Sequence, residues 1–365
     1  MNKKIFVTGC IVCLLISIGC RHMLRVHDDK GHTENKIAGV VETAGKNLSF
    51  SNDTIFDPSN LISQDQLHKA DTIQKGFRFT EGPAVDKFGN VFFTDQPDDK
   101  IYKWDAATGK ITVFLDGTGR SNGMAFDKEG FLITCADMKG EIWKIAPDGS
   151  HSILIDNYRG KLLNGPNDIW INPATGGIFI TDPIFPRNYW EPADPRRQNW
   201  KPDHSEQAST GKGGHVYYLA PGSKELVRVT TMAGWDADTW PNGITGTPDG
   251  KKLYVNNWSD DGSGRIMEFT INPGGALTEM KTLVDKLNFC DGMSLDHEGN
   301  IYVSSGKGLN AYNKKGNKIL TIPGAGGTNN VFAGETNKIL FMTSPDRVTK
   351  VMMNVKGVEK FEPLK

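Results

Sequence analysis

The chain has 365 residues, 38% of them hydrophobic and 23% charged, with a formal net charge of −1. That length allows one large domain or two ordinary ones, and the near-neutral balance supplies no basic footprint for nucleic acid. With 41 glycines, 18 prolines and few stretches of 3.6-residue apolar period, the composition points to a turn-rich, all-β protein.

The first element is a targeting segment. Lys3 and Lys4 precede an apolar run from Ile5 to Ile18, too short to span a bilayer comfortably and placed like a signal h-region. It ends in Ser17-Ile18-Gly19-Cys20, which resembles a bacterial lipoprotein signal in which Cys20 is lipidated. Ser17 departs from the usual leucine, and a plain signal peptide or a retained anchor is the alternative. Residues 1–20 are therefore expected to be the signal, cleaved before Cys20, and the mature protein, with Cys20 as its first residue, to be exported and held at the cell envelope, facing the periplasm, by a lipid on Cys20. Residues 21–66 are polar with little periodicity and are expected to form a flexible tether. Residues 67–365 are expected to form the folded domain. Only Cys135 and Cys290 fall within it; two cysteines make no disulfide framework, and two buried free thiols are expected.

Within that domain one pattern recurs. Units open at Glu81, Asn122, Asn167, Asn242 and Asp291, with a weaker copy at Asn329-Asn330. Each has a polar residue, a short apolar strand, a turn such as Asp86-Lys87-Phe88-Gly89-Asn90, a second apolar strand, another turn and an alternating strand. The long interval between Asn167 and Asn242 holds an insertion, Ile184–Gly213. Without it the period is about 40–45 residues with four strands per unit, the signature of a β-propeller. Six copies predict six blades. Asp71–Phe79 is expected to add a strand to the last blade and so close the ring.

This architecture gives the polar openers a common destination. The inner strand of each blade runs along the central channel, so Glu81, Asn122, Asn167, Asn242, Asp291 and Asn329 or Asn330 are expected to converge at one mouth. Taken singly, Asn-Gly and Asp-Gly are turn dipeptides. Two acids among amides at equivalent places form an oxygen-rich cage instead, suited to a hard divalent cation such as Ca²⁺. Such an ion could also be purely structural. The set contains no histidine or thiolate, which argues against a usual Zn²⁺ site.

At Glu81-Gly82-Pro83, Leu163–Asp168 (LNGPND), Thr181-Asp182-Pro183, Pro241-Asn242-Gly243 and Asp291-Gly292-Met293 the chain resembles the SMP-30/gluconolactonase/LRE family of six-bladed propellers, most closely its bacterial gluconolactonase branch. The resemblance runs from about Phe79 to Phe361. It implies one divalent cation, usually Ca²⁺ with Zn²⁺, Mg²⁺ or Mn²⁺ as alternatives, held by Glu81, Asn167, Asn242 and Asp291. It also implies hydrolysis of a sugar lactone, with a monomer expected. The animal members carry an arginine two positions before the third-blade asparagine; here that place is Gly165, so substrate preference does not transfer from them.

The chemistry expected of such a site is Lewis-acid activation of the lactone carbonyl, with Asp291 as general base. Asn122, Asn164 and Asn167 would donate hydrogen bonds to substrate. The chain has no Gly-x-Ser-x-Gly elbow to suggest a covalent intermediate. The alternatives are a related hydrolase acting on another oxidised sugar or ester, and a Ca²⁺-stabilised binding module. The insertion offers Trp190, Arg196, Arg197 and Trp200 as a rim over the pocket or as a packed surface loop. His204 and His215 are expected to be ordinary loop or strand residues, and Trp235, Trp240 and Trp258 to be packing residues, with Trp240 as a possible lining of the pocket.

Overall fold

The computed structural model describes residues 55–66, 70–185, 193–194, 214–231, 235 and 239–358. The first strand, β1 (Asp71–Lys75), stands apart from the repeat. Blade one follows as β2 (Thr80–Val85), β3 (Val91–Asp95), β4 (Lys100–Trp104) and β5 (Ile111–Asp116). Blade two is β6 (Ser121–Phe126), β7 (Leu132–Ala136), β8 (Glu141–Ile145) and β9 (His151–Ile155). Blade three is β10 (Ile169–Ile171), β11 (Ile178–Pro183), β12 (Gly214–Leu219) and β13 (Leu226–Arg228). Blade four is β14 (Pro241–Gly246), β15 (Lys252–Asn257), β16 (Gly264–Ile271) and β17 (Leu277–Leu287). Blade five is β18 (Cys290–Leu295), β19 (Ile301–Ser305), β20 (Gly308–Tyr312) and β21 (Lys318–Pro323). Blade six is β22 (Asn330–Ala333), β23 (Ile339–Ser344) and β24 (Arg347–Met352), completed by β1. The six four-stranded antiparallel sheets form a six-bladed propeller.

Closure takes the expected form. β1 pairs antiparallel with β24, from Asp71↔Lys350 to Lys75↔Arg347. The strand nearest the N-terminus thus covers the outer edge of the last blade. At the inner end, Thr328 donates from Oγ1 to the Thr80 carbonyl at 2.7 Å, and Thr80 donates to the Ser344 carbonyl at 2.6 Å.

The second strand of each blade is buried on both faces, apart from its first residue in blades four and six, and large side chains fill the wedges between blades. Between blades six and one, Phe341 lies 5.7 Å from Phe93 and 5.4 Å from Trp104, centroid to centroid. Between blades three and four, Trp170, Phe179 and Tyr218 pack with Val255, Met267 and Phe269. Each such side chain contributes roughly 1.5–3 kcal/mol by leaving water.

The tether expected over 21–66 does not extend across 55–66. Phe56 pairs with Thr321 and Ile62 with Met353, and Leu61 and Ile62 are buried in the core of blades five and six. An apolar pair beside open strand edges gains more by docking than by remaining solvated. The signal segment with Cys20, and the insertion beyond Phe185 apart from residues 193–194, lie outside the described residues.

Candidate functional site

The polar openers do not sit in turns. They sit at the inner ends of strands beside an irregularity that recurs. In blade one the register moves from Glu81↔Thr94 to Ala84↔Phe92. In blade two it moves from Ser121↔Ala136 to Met124↔Thr134. Blades four and five repeat it, from Pro241↔Asn257 to Ile244↔Val255 and from Cys290↔Ser305 to Met293↔Val303. Each time the inner strand carries one extra residue. Such a bulge re-aims a side chain and is common beside functional sites.

The glycine after each of these openers is needed for a close approach. A Cβ on Gly82 would lie 2.0 Å from the Asn122 carbonyl oxygen, and one on Gly243 would lie 2.2 Å from that of Asp291. A Cβ on Gly292 would lie 1.8 Å from the Asn329 side chain. Each glycine receives the opener of the following blade, so the openers form a contiguous ring. The Asn-Gly and Asp-Gly pairs are therefore inner-strand contacts rather than turns.

Blade three departs from the sequence pattern. Thr181 donates its N–H to the Asp168 carbonyl at 3.0 Å, and the Asp168 N–H donates to Thr181 Oγ1 at 2.9 Å. Asp168 thus lies opposite Thr181 as Glu81 lies opposite Thr94. Gly123 of blade two abuts Asp168 Oδ1, at 2.3 Å from a hypothetical Cβ. Gly123 also donates its N–H to the Asn167 carbonyl at 2.6 Å, and the Asn167 N–H donates to the Thr181 carbonyl at 2.8 Å, so Asn167 and Asp168 share the ring position. In blade six the Thr343 N–H donates to the Asn329 carbonyl at 2.9 Å, so Asn329 rather than Asn330 is the ring member. The Asn329 amide lies 3.4 Å from Glu81 Oε2 and 3.5 Å from Asp168 Oδ2, linking blades one, three and six.

Sequence reasoning missed Asp168. It also missed a polar residue near the end of the second strand in five blades, which in three cases holds an opener carbonyl. Thr181 Oγ1 donates to the Asn242 carbonyl at 2.8 Å, Thr343 Oγ1 to that of Asn329 at 3.1 Å, and the Asn256 amide to that of Asp291. The available signal was a short polar side chain after each second apolar run: Thr94, Thr181, Asn256, Ser304 and Thr343.

The side chains of the ring are in two states. Glu81 Oε2 accepts the Gly82 N–H at 2.9 Å. No hydrogen bond from a described residue reaches the side-chain amides of Asn122, Asn167 or Asn242, although all three residues are buried. Asn242 Oδ1 is itself a buried oxygen without a partner. A buried acceptor left unpaired costs about 1–3 kcal/mol, which a bound group would recover. Asp291 is half-buried.

Asn164 differs from the others. It is fully buried, its amide lies 3.4 Å from the Asp182 carbonyl, and Asp182 accepts the N–H groups of Asn164 and Gly165, both at 3.0 Å. Asp95 grips Arg78 and Phe79 in the same way, at 3.0 and 2.9 Å. These clamps fix the chain just before each inner strand. Cys135 and Cys290 are free and buried as expected. Burial raises both thiols, with help from Asp168, Asp182 and Asp137 at Cys135 and from Asp291 at Cys290, whose pKa is pushed up to about 12. Neither is a thiolate at neutral pH.

His215 lies in β12, with Nδ1 3.0 Å from Thr230 Oγ1, and burial lowers its pKa to about 4. It is the strand residue expected. His204, Trp190, Arg196, Arg197 and Trp200 lie outside the described residues. Trp235 donates from Nε1 to the Gly214 carbonyl at 3.1 Å and packs on the core between blades three and four. A depression of about 690 Å³ lined by Asp86, Asn90, Asp105 and Glu335 lies at the opposite end of the propeller. It holds none of the converging openers, so the ring is the better candidate.

A model of the SMP-30/gluconolactonase/LRE-like region matches residues 79–346. The gluconolactonase of Zymomonas mobilis subsp. mobilis is 28% identical over 345 residues, covering 86% of this chain and 88% of that protein. The solved gluconolactonase of Xanthomonas campestris superposes with a TM-score of 0.64 at 25% identity, over 83% of this chain and 98% of its own. Regucalcin of Agrobacterium tumefaciens, a calcium-binding protein, shares the fold with a TM-score of 0.61 at 18% identity, over 81% of this chain and 96% of its own. With the family match extending across all six blades, the chain belongs to the SMP-30/gluconolactonase/LRE-like family and is a gluconolactonase-like enzyme.

Proposed function

We propose that the protein is a divalent-metal-dependent hydrolase that opens the lactone ring of a sugar acid. The observation that carries this reading is the unpartnered, buried Asn242 Oδ1 within a ring that also presents Glu81 and Asp291. Among the described residues no three His, Cys, Asp or Glu side chains gather at metal-binding distance, so a cage here draws on amide oxygens as well as carboxylates. Glu81, Asn167, Asn242 and Asp291 are the set that would hold the cation. Their all-oxygen chemistry fits Ca²⁺. When bound, such an ion supplies Lewis-acid polarisation of the lactone carbonyl.

The remaining chemistry belongs to the chain. Asp291, half-buried, takes the proton from the attacking water. The water oxygen bonds to the lactone carbonyl carbon, the ring C–O bond breaks, and the proton passes to the departing ring oxygen. Asn122 and Asn167 present uncommitted amides to the substrate carbonyl and hydroxyls. Asn164 acts indirectly, holding the entry loop through Asp182, because its amide is already engaged. Export with a lipid on Cys20 forms part of the same reading, and incorporation of labelled palmitate that is lost in Cys20→Ala checks it.

The test is pH-stat hydrolysis of a panel of aldonolactones by the mature chain. Turnover should vanish with EDTA, return with Ca²⁺, and fall by at least about 10²-fold in Asp291→Ala, the scale of a general-base contribution. No turnover on any lactone, in protein whose melting temperature still rises with Ca²⁺, overturns the catalytic reading.

A further inference from the structure

The channel mouth is chemically one-sided. On the side of blades three to five, four aromatic rings form a continuous wall. Phe185, just beyond the end of β11, lies 5.4 Å from Trp240 and 5.8 Å from Trp258. Trp240 and Trp258 are 5.5 Å apart, and Trp258 is 5.9 Å from Phe289. The backbone places all four at the level of the openers. Trp240 precedes Asn242 by two residues, and Phe289 precedes Asp291 by two. The Trp258 N–H donates to the Trp240 carbonyl at 2.9 Å.

This wall differs from the interior aromatic clusters. Phe179, Phe269 and Phe341 are fully buried, whereas each wall residue is only partly covered. Trp240 Nε1 is a buried donor without a partner. Phe289 is held at φ 53, a left-handed conformation that a bulky side chain rarely adopts. The φ of Phe289 recurs at Arg120, two residues before Asn122, so it belongs to the repeat; core packing alone does not account for an unpaired indole donor and four partly exposed aromatic faces beside a polar ring.

We infer that Phe185, Trp240, Trp258 and Phe289 are specificity-determining residues that stack on the C–H face of a polyhydroxylated six-membered ring, while the amides of Asn122 and Asn167 take its hydroxyls. The inference deepens the lactonase reading and rests on it for the identity of the ring. A sugar ring presents hydroxyls at its edge and C–H groups on its face. An aromatic surface beside uncommitted amides matches both at once. A wholly apolar ligand would leave the amides unpaired, and a linear polyol would leave the wall uncovered.

Tryptophan fluorescence of the mature chain, titrated with D-glucono-1,5-lactam and with δ-valerolactam, tests this without turnover. Gluconolactam should bind saturably and more tightly than δ-valerolactam. Its affinity should fall roughly three- to ten-fold in Phe289→Gly and in Trp258→Leu, the size expected for losing one aromatic contact. Phe289→Gly relieves the strained φ and so keeps the fold. Trp143→Phe, in a residue stacked on His151 in blade two, should change nothing. Unchanged gluconolactam affinity in both wall variants overturns the inference, as does tighter binding of δ-valerolactam. Wall-dependent binding of gluconolactam without lactone turnover by the wild type would sink the lactonase reading and leave the wall assignment standing.

Discussion

Blades one and three both deliver a carboxylate to the ring, by different means. In blade one the inner strand carries an extra residue, Glu81 points off the ladder, and Gly82 lets Asn122 of the next blade close against it. In blade three Asn167 and Asp168 both hydrogen-bond to Thr181, and Asp168 stands where glycine follows the opener in blades one, two, four and five. The Asn167 N–H bonds to the Thr181 carbonyl, the Asp168 N–H turns to Thr181 Oγ1, and the Asn167 carbonyl takes the Gly123 N–H of blade two. The two carboxylates meet through the Asn329 amide of blade six. The repeat is thus a scaffold on which one blade gains a polar group by carrying an aspartate in place of a glycine, so that Asn167 and Asp168 both meet Gly123 of blade two.

The comparison can be broken most forcefully in blade one. Gly82→Ala places a methyl group against the Asn122 backbone at a position with φ 43. It should destabilise the protein by roughly 3 kcal/mol or more and weaken any Ca²⁺-dependent rise in melting temperature. A wild-type melting temperature would show that the inner ring is looser than described.

In blade three, the third strand carries His215. Its pKa is lowered from 6.5 to about 4, first by burial and then by Arg228. The unfolded chain therefore binds the extra proton between those values, and stability is lost as pH falls through that window. The loss should reach about 3 kcal/mol by the acid end. Urea midpoints between pH 7 and 4 measure it, and the acid-side slope should flatten in His215→Gln. An identical slope in that variant would assign the acid sensitivity to other groups.

Asp168→Asn keeps the shape of the ring while removing one charge. If Asp168 supports the ligands from beside them, Ca²⁺ affinity by calorimetry should fall about 10- to 100-fold, and the fold should survive. Affinity equal to wild type would reduce Asp168 to a packing residue. The smallest effect belongs to a glycine outside the ring. Gly109 has φ 72, and a Cβ added there would meet nothing within 4 Å, so Gly109→Ala should cost only about 1 kcal/mol of backbone strain. A loss as large as that of Gly82→Ala would remove the distinction between packed and turn glycines.

Much of this molecule was legible from residue order. Apolar runs separated by Asp-x-x-Gly-Asn turns mark the hairpins locally, because each turn and its two strands lie within one short stretch. Their recurrence marks the blades. The closing strand at Asp71–Lys75 was readable because a ring needs a partner for its last edge. Glu81, Asn242 and Asp291 could be aligned because each is followed by the same glycine. Leu61 and Ile62 were misplaced in the tether because nothing local shows that blades five and six offer them a buried site.

The amino-acid sequence by itself determined the number of blades, the strand order within each and the end of the channel at which polar residues gather. All three follow from short-range periodicity and turn chemistry. Only the tertiary structure decided that Asp168 joins Asn167 in the ring, that Asn329 rather than Asn330 completes it, and that aromatic side chains from three blades line one side of the mouth. Those outcomes depend on hydrogen-bond register with a neighbouring strand and on contact with a glycine of the preceding blade. Both are set by residues distant in the chain, and a shift of one residue changes which side chain faces the axis.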